Sequence, residues 1–192
     1  MATSKLVKWG AAGFVLSGVL LIVLTSAAVF TGLLADLVLS AGLIYFYIYL
    51  VLTGIVSQLL LGLGVVGLHA LQKGRYGSLG LTGFYTILVA LAVRILAEVV
   101  ALANPQAIPW LRSPVGLLVL IVGFVLYGLA SLQARMLPRW YSVLLIIFVP
   151  VSYVMGRLGL LPDIWFGAAL LVLGFVLWQQ GEALAEQPAP VA

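Results

Sequence analysis

Long apolar stretches, separated by short polar interruptions, follow one another along the whole chain. Six of them reach or approach the roughly 20 residues that a transmembrane helix needs. None shows the alternation typical of a strand, and a helical bundle satisfies its backbone hydrogen bonds inside lipid. The pattern therefore predicts an all-α integral membrane bundle of six transmembrane helices. The predicted spans are 9–30, 43–71, 79–103, 115–135, 140–157 and 163–180.

Turn-forming residues separate these spans. Lys73–Gly77 follows span two, Asn104–Pro114 follows span three, and Pro138 precedes span five. We expect Pro150 to kink or weaken span five, because proline cannot donate to the preceding helical turn. Span two is longer than one crossing requires, so Tyr45–Tyr49 should lie at its outer interface.

The composition makes lipid the natural solvent. Hydrophobic residues make up 65% of the chain and charged residues 7%, whereas about a quarter of a soluble domain is charged. The apolar excess is continuous, which predicts one transmembrane domain at 1–182 and a short disordered cytoplasmic tail at 183–192. The chain has no cysteine and one histidine, His69, so thiolate sites and histidine clusters are excluded. We therefore expect neither a metal nor a cofactor.

The positive charges predict how the bundle is oriented. If the N-terminus is cytoplasmic, Arg112 and Arg157 face outward with Asp36 and Asp163, while six basic residues face inward. This bias predicts a multi-pass protein of the cytoplasmic membrane with both termini inside, and it makes nucleic acid an unexpected partner. The first apolar stretch is interpreted as an uncleaved span. The six inward residues are Lys5, Lys8, Lys73, Arg75, Arg135 and Arg139.

Short segments at the ends of the even-numbered spans resemble one another. Gly67–Gln72 matches Gly128–Gln133, and Gly123–Tyr127 matches Gly174–Trp178. Two interpretations stay open. The bundle could consist of three repeated helical hairpins, or the matches could reflect convergent apolar composition.

Two charged residues, Arg94 and Glu98, lie inside the third span. Arg94 lies within about 5 Å of the middle of this span and Glu98 about 10 Å from it. Residues four apart share a helix face, so the two can neutralise each other. Gln58 lies near the centre of span two, where we expect it to hydrogen-bond a neighbouring helix, with Arg94 as a natural partner. Two interpretations stay open: Arg94 and Glu98 form a self-paired clamp between helices, or they line a polar cavity. These three residues are the candidate ligand-binding site.

One set of motifs resembles known sequences. Gly67-Leu-His-Ala-Leu-Gln72 with Arg75-Tyr76-Gly77, followed by Gln133-Ala-Arg135 and Leu137-Pro-Arg-Trp140, is similar to small multi-span bacterial membrane proteins of uncharacterised function. The resemblance covers spans two to six. It implies a bacterial inner-membrane protein and no activity, so it assigns no functional residue.

Catalytic motifs are missing from the chain, and no nucleophilic triad is credible with a single histidine near the inner edge. The sequence therefore favours a non-enzymatic structural or accessory protein that packs against lipid or another membrane component. The alternative is a small transporter or ligand-binding protein with a polar intramembrane site around Arg94, Glu98 and Gln58. Membrane lipids are the expected partners, and a homo-oligomer or a larger assembly is compatible with either function. A pocket reaching Arg94 would favour the transporter.

Overall fold

The computed structural model describes residues 2–33, 48, 50–104 and 114–186 of the chain. These residues form six helices and no strand, and each helix is long and apolar enough to cross a membrane. The predicted all-α bundle is thereby confirmed. The helices are α1 (Ala2–Leu33), α2 (Ser57–Gln72, preceded by a π-helical segment, Leu50–Val56), α3 (Ser78–Ala103), α4 (Pro114–Ala134), α5 (Arg139–Arg157) and α6 (Pro162–Glu186).

Some predicted features lie outside the described residues. They include the aromatic residues 45–47 and 49, the loop at 105–113, Asp36, and residues 187–192 of the predicted tail. Helix α6 reaches Glu186, so residues 183–186 of the segment predicted as tail are helical.

Prolines mark where three helices begin. Pro114 and Pro162 are the first residues of α4 and α6, and Pro138 immediately precedes α5. A proline at the first helical position costs no intrahelical hydrogen bond, because that amide has no partner in the helix. Pro150 lies within α5, and the helix continues through it to Arg157.

Helix α1 packs most extensively against α6 and α2. A Cβ atom on Gly10 would lie 2.4 Å from the Cα of Gly67 on α2. On the opposite side, a Cβ atom on Gly18 would lie 2.6 Å from the carbonyl oxygen of Gly167 on α6. Glycine therefore allows direct backbone contact at both interfaces. The three helices α6, α1 and α2 form one layer, which we call layer A, with α1 in the middle.

Helices α3, α4 and α5 form a second layer, layer B, by the same means. A Cβ atom on Gly83 of α3 would lie 2.6 Å from the amide nitrogen of Tyr127 on α4. One on Gly128 of α4 would lie 3.0 Å from the carbonyl oxygen of Ser142 on α5. Helix α4 is thus the middle of layer B, as α1 is the middle of layer A.

The two layers meet at two joints, α2 with α3 and α5 with α6, where the helices contact each other less extensively than the helices within each layer. The turn at 73–77 crosses the first joint and the turn at 158–161 crosses the second. Gly74 has a φ of 86° and Gly159 a φ of 72°. Both values lie in the left-handed region that glycine adopts readily, so each joint is crossed by a turn that depends on glycine.

Neighbouring helices run antiparallel, which brings the start of α1, the turn at 73–77 and the turn at 135–138 to one end of the bundle. We call this the basic end, because it holds Lys5, Lys73, Arg75 and Arg135. The opposite, distal end holds the turn at 158–161. Which end faces the cytoplasm stays a prediction.

The matched segments of the even-numbered helices pack differently. Gly67 contacts Gly10 on the preceding helix, whereas the matched Gly128 contacts Ile146 on the following helix. The matched sequence segments therefore lie at different helix–helix interfaces. Triplication of the hairpin stays a prediction.

Candidate functional site

A cavity of about 500 Å³ lies between the two layers, in the distal half of the bundle. Every described helix contributes to its wall. On α3 the lining runs from Leu91 to Glu98, and on α5 it runs from Val149 to Arg157. At 1.5 Å per helical residue, these stretches span about 10–12 Å of depth. The cavity therefore extends from near the middle of α3 to the distal turn.

The three predicted site residues, Arg94, Glu98 and Gln58, all line this cavity. Arg94 and Glu98 are half-buried. A Cβ atom on Gly54 would lie 2.8 Å from the Cγ of Glu98, so this side chain packs against the π-helical segment of layer A. A Cβ atom on Gly116 would lie 3.9 Å from the Cγ of Arg94, so the stem of Arg94 passes beside α4 in layer B. The two residues share one helix, and each packs towards a different layer.

Gln58 is only 7% exposed, and its amide oxygen Oε1 is buried without a hydrogen-bond partner among the described residues. The expected hydrogen bond from Arg94 to this oxygen is therefore not formed. A buried acceptor without a partner costs about 1–3 kcal/mol. Buried polar atoms in native proteins normally have a partner, which is often water or a bound molecule. Gln58 thus presents an acceptor suited to a molecule held in the cavity.

The π-helical segment Leu50–Val56 forms part of the wall through Thr53 and Gly54. The Ser57 hydroxyl donates to the Thr53 carbonyl. From α1, the Ser17 hydroxyl donates to the Ser57 carbonyl at 2.9 Å. Departures from regular α-helix of this kind are frequent at functional sites. Gly13 and Ser17 lie four residues apart on α1, and both contact α2.

Two further charged residues lie where the cavity meets the distal turn. Arg157, at the end of α5, donates from Nε to the Tyr153 hydroxyl at 3.1 Å, and its guanidinium carbon lies 5.4 Å from the centroid of that ring. Asp163, in the first turn of α6, accepts from the Thr25 hydroxyl of α1 at 3.4 Å. Arg157 is thus positioned by layer B, and Asp163 by layer A.

From the sequence, Arg157 and Asp163 were expected only to report topology, and Ser152 and Tyr153 were not singled out. All four line the cavity. The sequence does indicate the α5 side of the cavity, because four residues with polar or small side chains recur at helical spacing along one face of this helix. They are Ser152, Tyr153, Gly156 and Arg157. The contribution of α6 had no comparable signal, because Asp163 lies beyond a turn.

His69 lies near the basic end, away from this cavity. Its Nδ1 atom is hydrogen-bonded to the Tyr76 hydroxyl, and its ring stacks on Phe84 with centroids 4.0 Å apart. These contacts give His69 a structural role in packing α2 against the turn at 73–77 and α3. Within the described ranges, no group of three or more histidine, cysteine, aspartate or glutamate side chains could hold a metal ion.

Comparison of the chain with protein-family models, curated proteins and solved structures found no match. The resemblance to small multi-span bacterial membrane proteins therefore stays an expectation.

Proposed function

We propose that the protein is a membrane transporter for a small polar solute, which binds in the cavity between layers A and B. The observation that supports this most directly is the extent of the cavity. It runs from the distal turn to Arg94 and Gln58, at a depth where polar groups are costly. Its volume falls within the range of about 300–1,000 Å³ that is usual for small-molecule sites.

A purely structural role for Arg94 and Glu98 predicts a different geometry. Such a pair would be enclosed among packed helices, with no space beside it. Instead, both residues border a cavity to which every described helix contributes. The accessory role that the sequence favoured therefore has less support than the transporter.

The arrangement of helices supports transport over static binding. Glycine-mediated backbone contacts lie within each layer, whereas the joints between layers depend on side chains and on the turns around Gly74 and Gly159. Two rigid layers that close around a central site can expose that site to one side of the membrane at a time. In the present conformation the cavity lies towards the distal end.

We also propose that the protein is not an enzyme. The cavity lining contains no histidine, and His69 lies near the opposite end. The positively charged end should face the cytoplasm of a bacterial cell, with both termini inside, so the cavity would face outward. Membrane lipids surround the bundle under this proposal.

Native mass spectrometry of the protein released from mild detergent tests the proposal. Gly116→Phe should place a ring in the cavity beside Arg94 and obstruct the site there, because a Cβ atom on Gly116 would lie 3.9 Å from the Cγ of Arg94. Leu118→Phe is the matched control, since Leu118 lies on the same helix at similar depth and is exposed to lipid.

We expect a small-molecule adduct on the parent and on Leu118→Phe, and its loss or strong reduction on Gly116→Phe. Equal adducts on the two variants would contradict binding in the cavity. A folded-state check by thermal unfolding excludes loss through misfolding.

A further inference from the structure

In the part of the chain that the structure describes, the cavity wall carries equal numbers of basic and acidic side chains, although the chain as a whole does not. The chain carries a formal net charge of +4. Among the described residues, the charged ones that line the cavity are Arg94, Arg157, Glu98 and Asp163, so two cations stand against two anions. A ligand with a net charge would leave one charge uncompensated, which is costly beside the half-buried Arg94 and Glu98.

The charges are also sorted between the two layers. The cationic side chains belong to layer B, where Arg94 passes beside α4 and Arg157 lies against Tyr153. The anionic groups lie on the side of layer A. Glu98 reaches across to Gly54 of layer A, and Asp163 on α6 accepts from Thr25 on α1.

Gln58 adds to the side that accepts hydrogen bonds. It lies on α2 in layer A, and its buried Oε1 has no partner among the described residues. An amide oxygen accepts from N–H or O–H groups only. The acceptors therefore lie along layer A, with the Glu98 carboxylate reaching there from α3, whereas the guanidinium donors belong to layer B.

The deeper wall is apolar. Leu61, Leu91 and Leu120 line the cavity and are at most 3% exposed. An apolar part of a ligand would fit here, because apolar walls with a few oriented polar groups are typical of small-molecule sites.

We propose that the cavity binds a zwitterion with an N–H-bearing ammonium and an attached apolar group. The ammonium faces Gln58, Glu98 and Asp163, and the anionic group faces Arg94 and Arg157. This assignment rests on the proposed function and specifies its substrate class. Two sources share the chemistry, namely a soluble amino acid and the headgroup of phosphatidylethanolamine.

A matched set of probes tests the assignment on the full-length protein in phosphatidylglycerol nanodiscs. Leucine is the zwitterion, 3-methylbutylamine its cationic analogue, 4-methylpentanoate its anionic analogue and 4-methylpentanamide a neutral one. Dioleoylphosphatidylethanolamine, added to the nanodisc lipid, tests the headgroup source. Ligand-induced shifts in thermal unfolding give the affinities.

We expect leucine or the phosphatidylethanolamine lipid to bind at least about tenfold more tightly than each of the three analogues. Whichever of the two binds identifies the source. Tightest binding of the cation, the anion or the neutral amide overturns the assignment, and so does the absence of binding by every probe.

Charge variants sharpen the test. Glu98→Gln leaves two cations against one anion, so the preference should move towards 4-methylpentanoate. Arg94→Gln leaves one cation against two anions, so the preference should move towards 3-methylbutylamine. Glu182→Gln is the control, because Glu182 is exposed and pairs with Trp178 outside the cavity. An unchanged preference order in Glu98→Gln and Arg94→Gln contradicts the assignment.

The proposed function can fail separately. It fails if Gly116→Phe and Leu118→Phe retain ligand equally. The zwitterion assignment alone fails if Gly116→Phe abolishes binding but an analogue with a net charge binds as well as leucine or the lipid.

Discussion

The side-chain amide of Gln58 affects both the stability of the bundle and the binding of a ligand. Its oxygen is buried beside the cavity without a hydrogen-bond partner among the described residues. A native protein retains such a group at a cost in stability, and binding sites are where this cost is commonly found. We therefore expect Gln58 to strengthen ligand binding and to lower the stability of the ligand-free protein.

Replacing this amide should separate the two effects. Gln58→Leu removes the buried acceptor, so the ligand-free protein should gain about 1–2 kcal/mol in free energy of unfolding. The same change should weaken ligand retention. Denaturant titration in mixed micelles measures the first effect and native mass spectrometry the second. Gln133→Leu, at an exposed position near the basic end, is the control and should change neither. A Gln58→Leu variant that is less stable yet binds normally would refute the argument.

Residues inside apolar runs were the ones that the sequence could identify. Arg94, Glu98 and Gln58 interrupt long hydrophobic stretches, so each was visible as an expensive polar group. Asp163 and Arg157 lie at helix ends, where charges are ordinary, and only their three-dimensional placement assigns them to the cavity. The geometry also showed that Gln58 and Arg94 are not hydrogen-bonded in the way that their similar depth suggested.

Helix contacts within each layer depend on glycine. Gly67 of α2 meets the backbone of Gly10, where an added Cβ would lie 2.5 Å from its Cα. Backbone atoms cannot rotate away as a flexible side chain can, so even alanine must push the helices apart.

Gly67→Ala should therefore lower the free energy of unfolding by about 1–3 kcal/mol, which is the usual cost of overpacking. Gly77→Ala is the control, because a Cβ there would meet nothing within 4 Å. It should change stability by about 0.5 kcal/mol or less. Thermal or denaturant unfolding of both variants in the same detergent makes the comparison, and equal losses would disprove the packing argument.

Hydropathy could predict the elements but not their arrangement. Each span is recognisable because lipid demands a long apolar helix. Hydropathy does not show which side of a helix packs against its neighbours, since the side that faces lipid is as apolar as the side that faces protein. On α3, for example, Ile87 is fully buried and Val89 is 59% exposed, yet both are β-branched hydrophobic residues. The layers and the cavity between them could therefore emerge only from the structure.

Layers A and B should move relative to each other, because the two joints between them have less extensive helix contacts than the interfaces within each layer. Spin labels on Val29 of layer A and Leu118 of layer B report the distance between the layers. Labels on Leu118 and Val154 report a distance within layer B. The chain has no cysteine, so two introduced thiols are the only labelling sites. We expect the distance distribution between layers to be clearly broader than the one within layer B. Distributions of equal width would indicate a single rigid bundle.

Transport through this bundle requires that water reaches the cavity from the distal end, and the reactivity of introduced thiols measures that access. Ser152→Cys places a thiol on the cavity wall, Val89→Cys places one in lipid, and Ser131→Cys places one in the fully buried core. Thiols react as thiolates, which form where water has access. A membrane-impermeant cationic methanethiosulfonate, added to the distal side of oriented vesicles, should modify Ser152→Cys rapidly and leave the other two unmodified. If Ser152→Cys reacts no faster than Ser131→Cys, the cavity is closed to water and the transporter account is wrong.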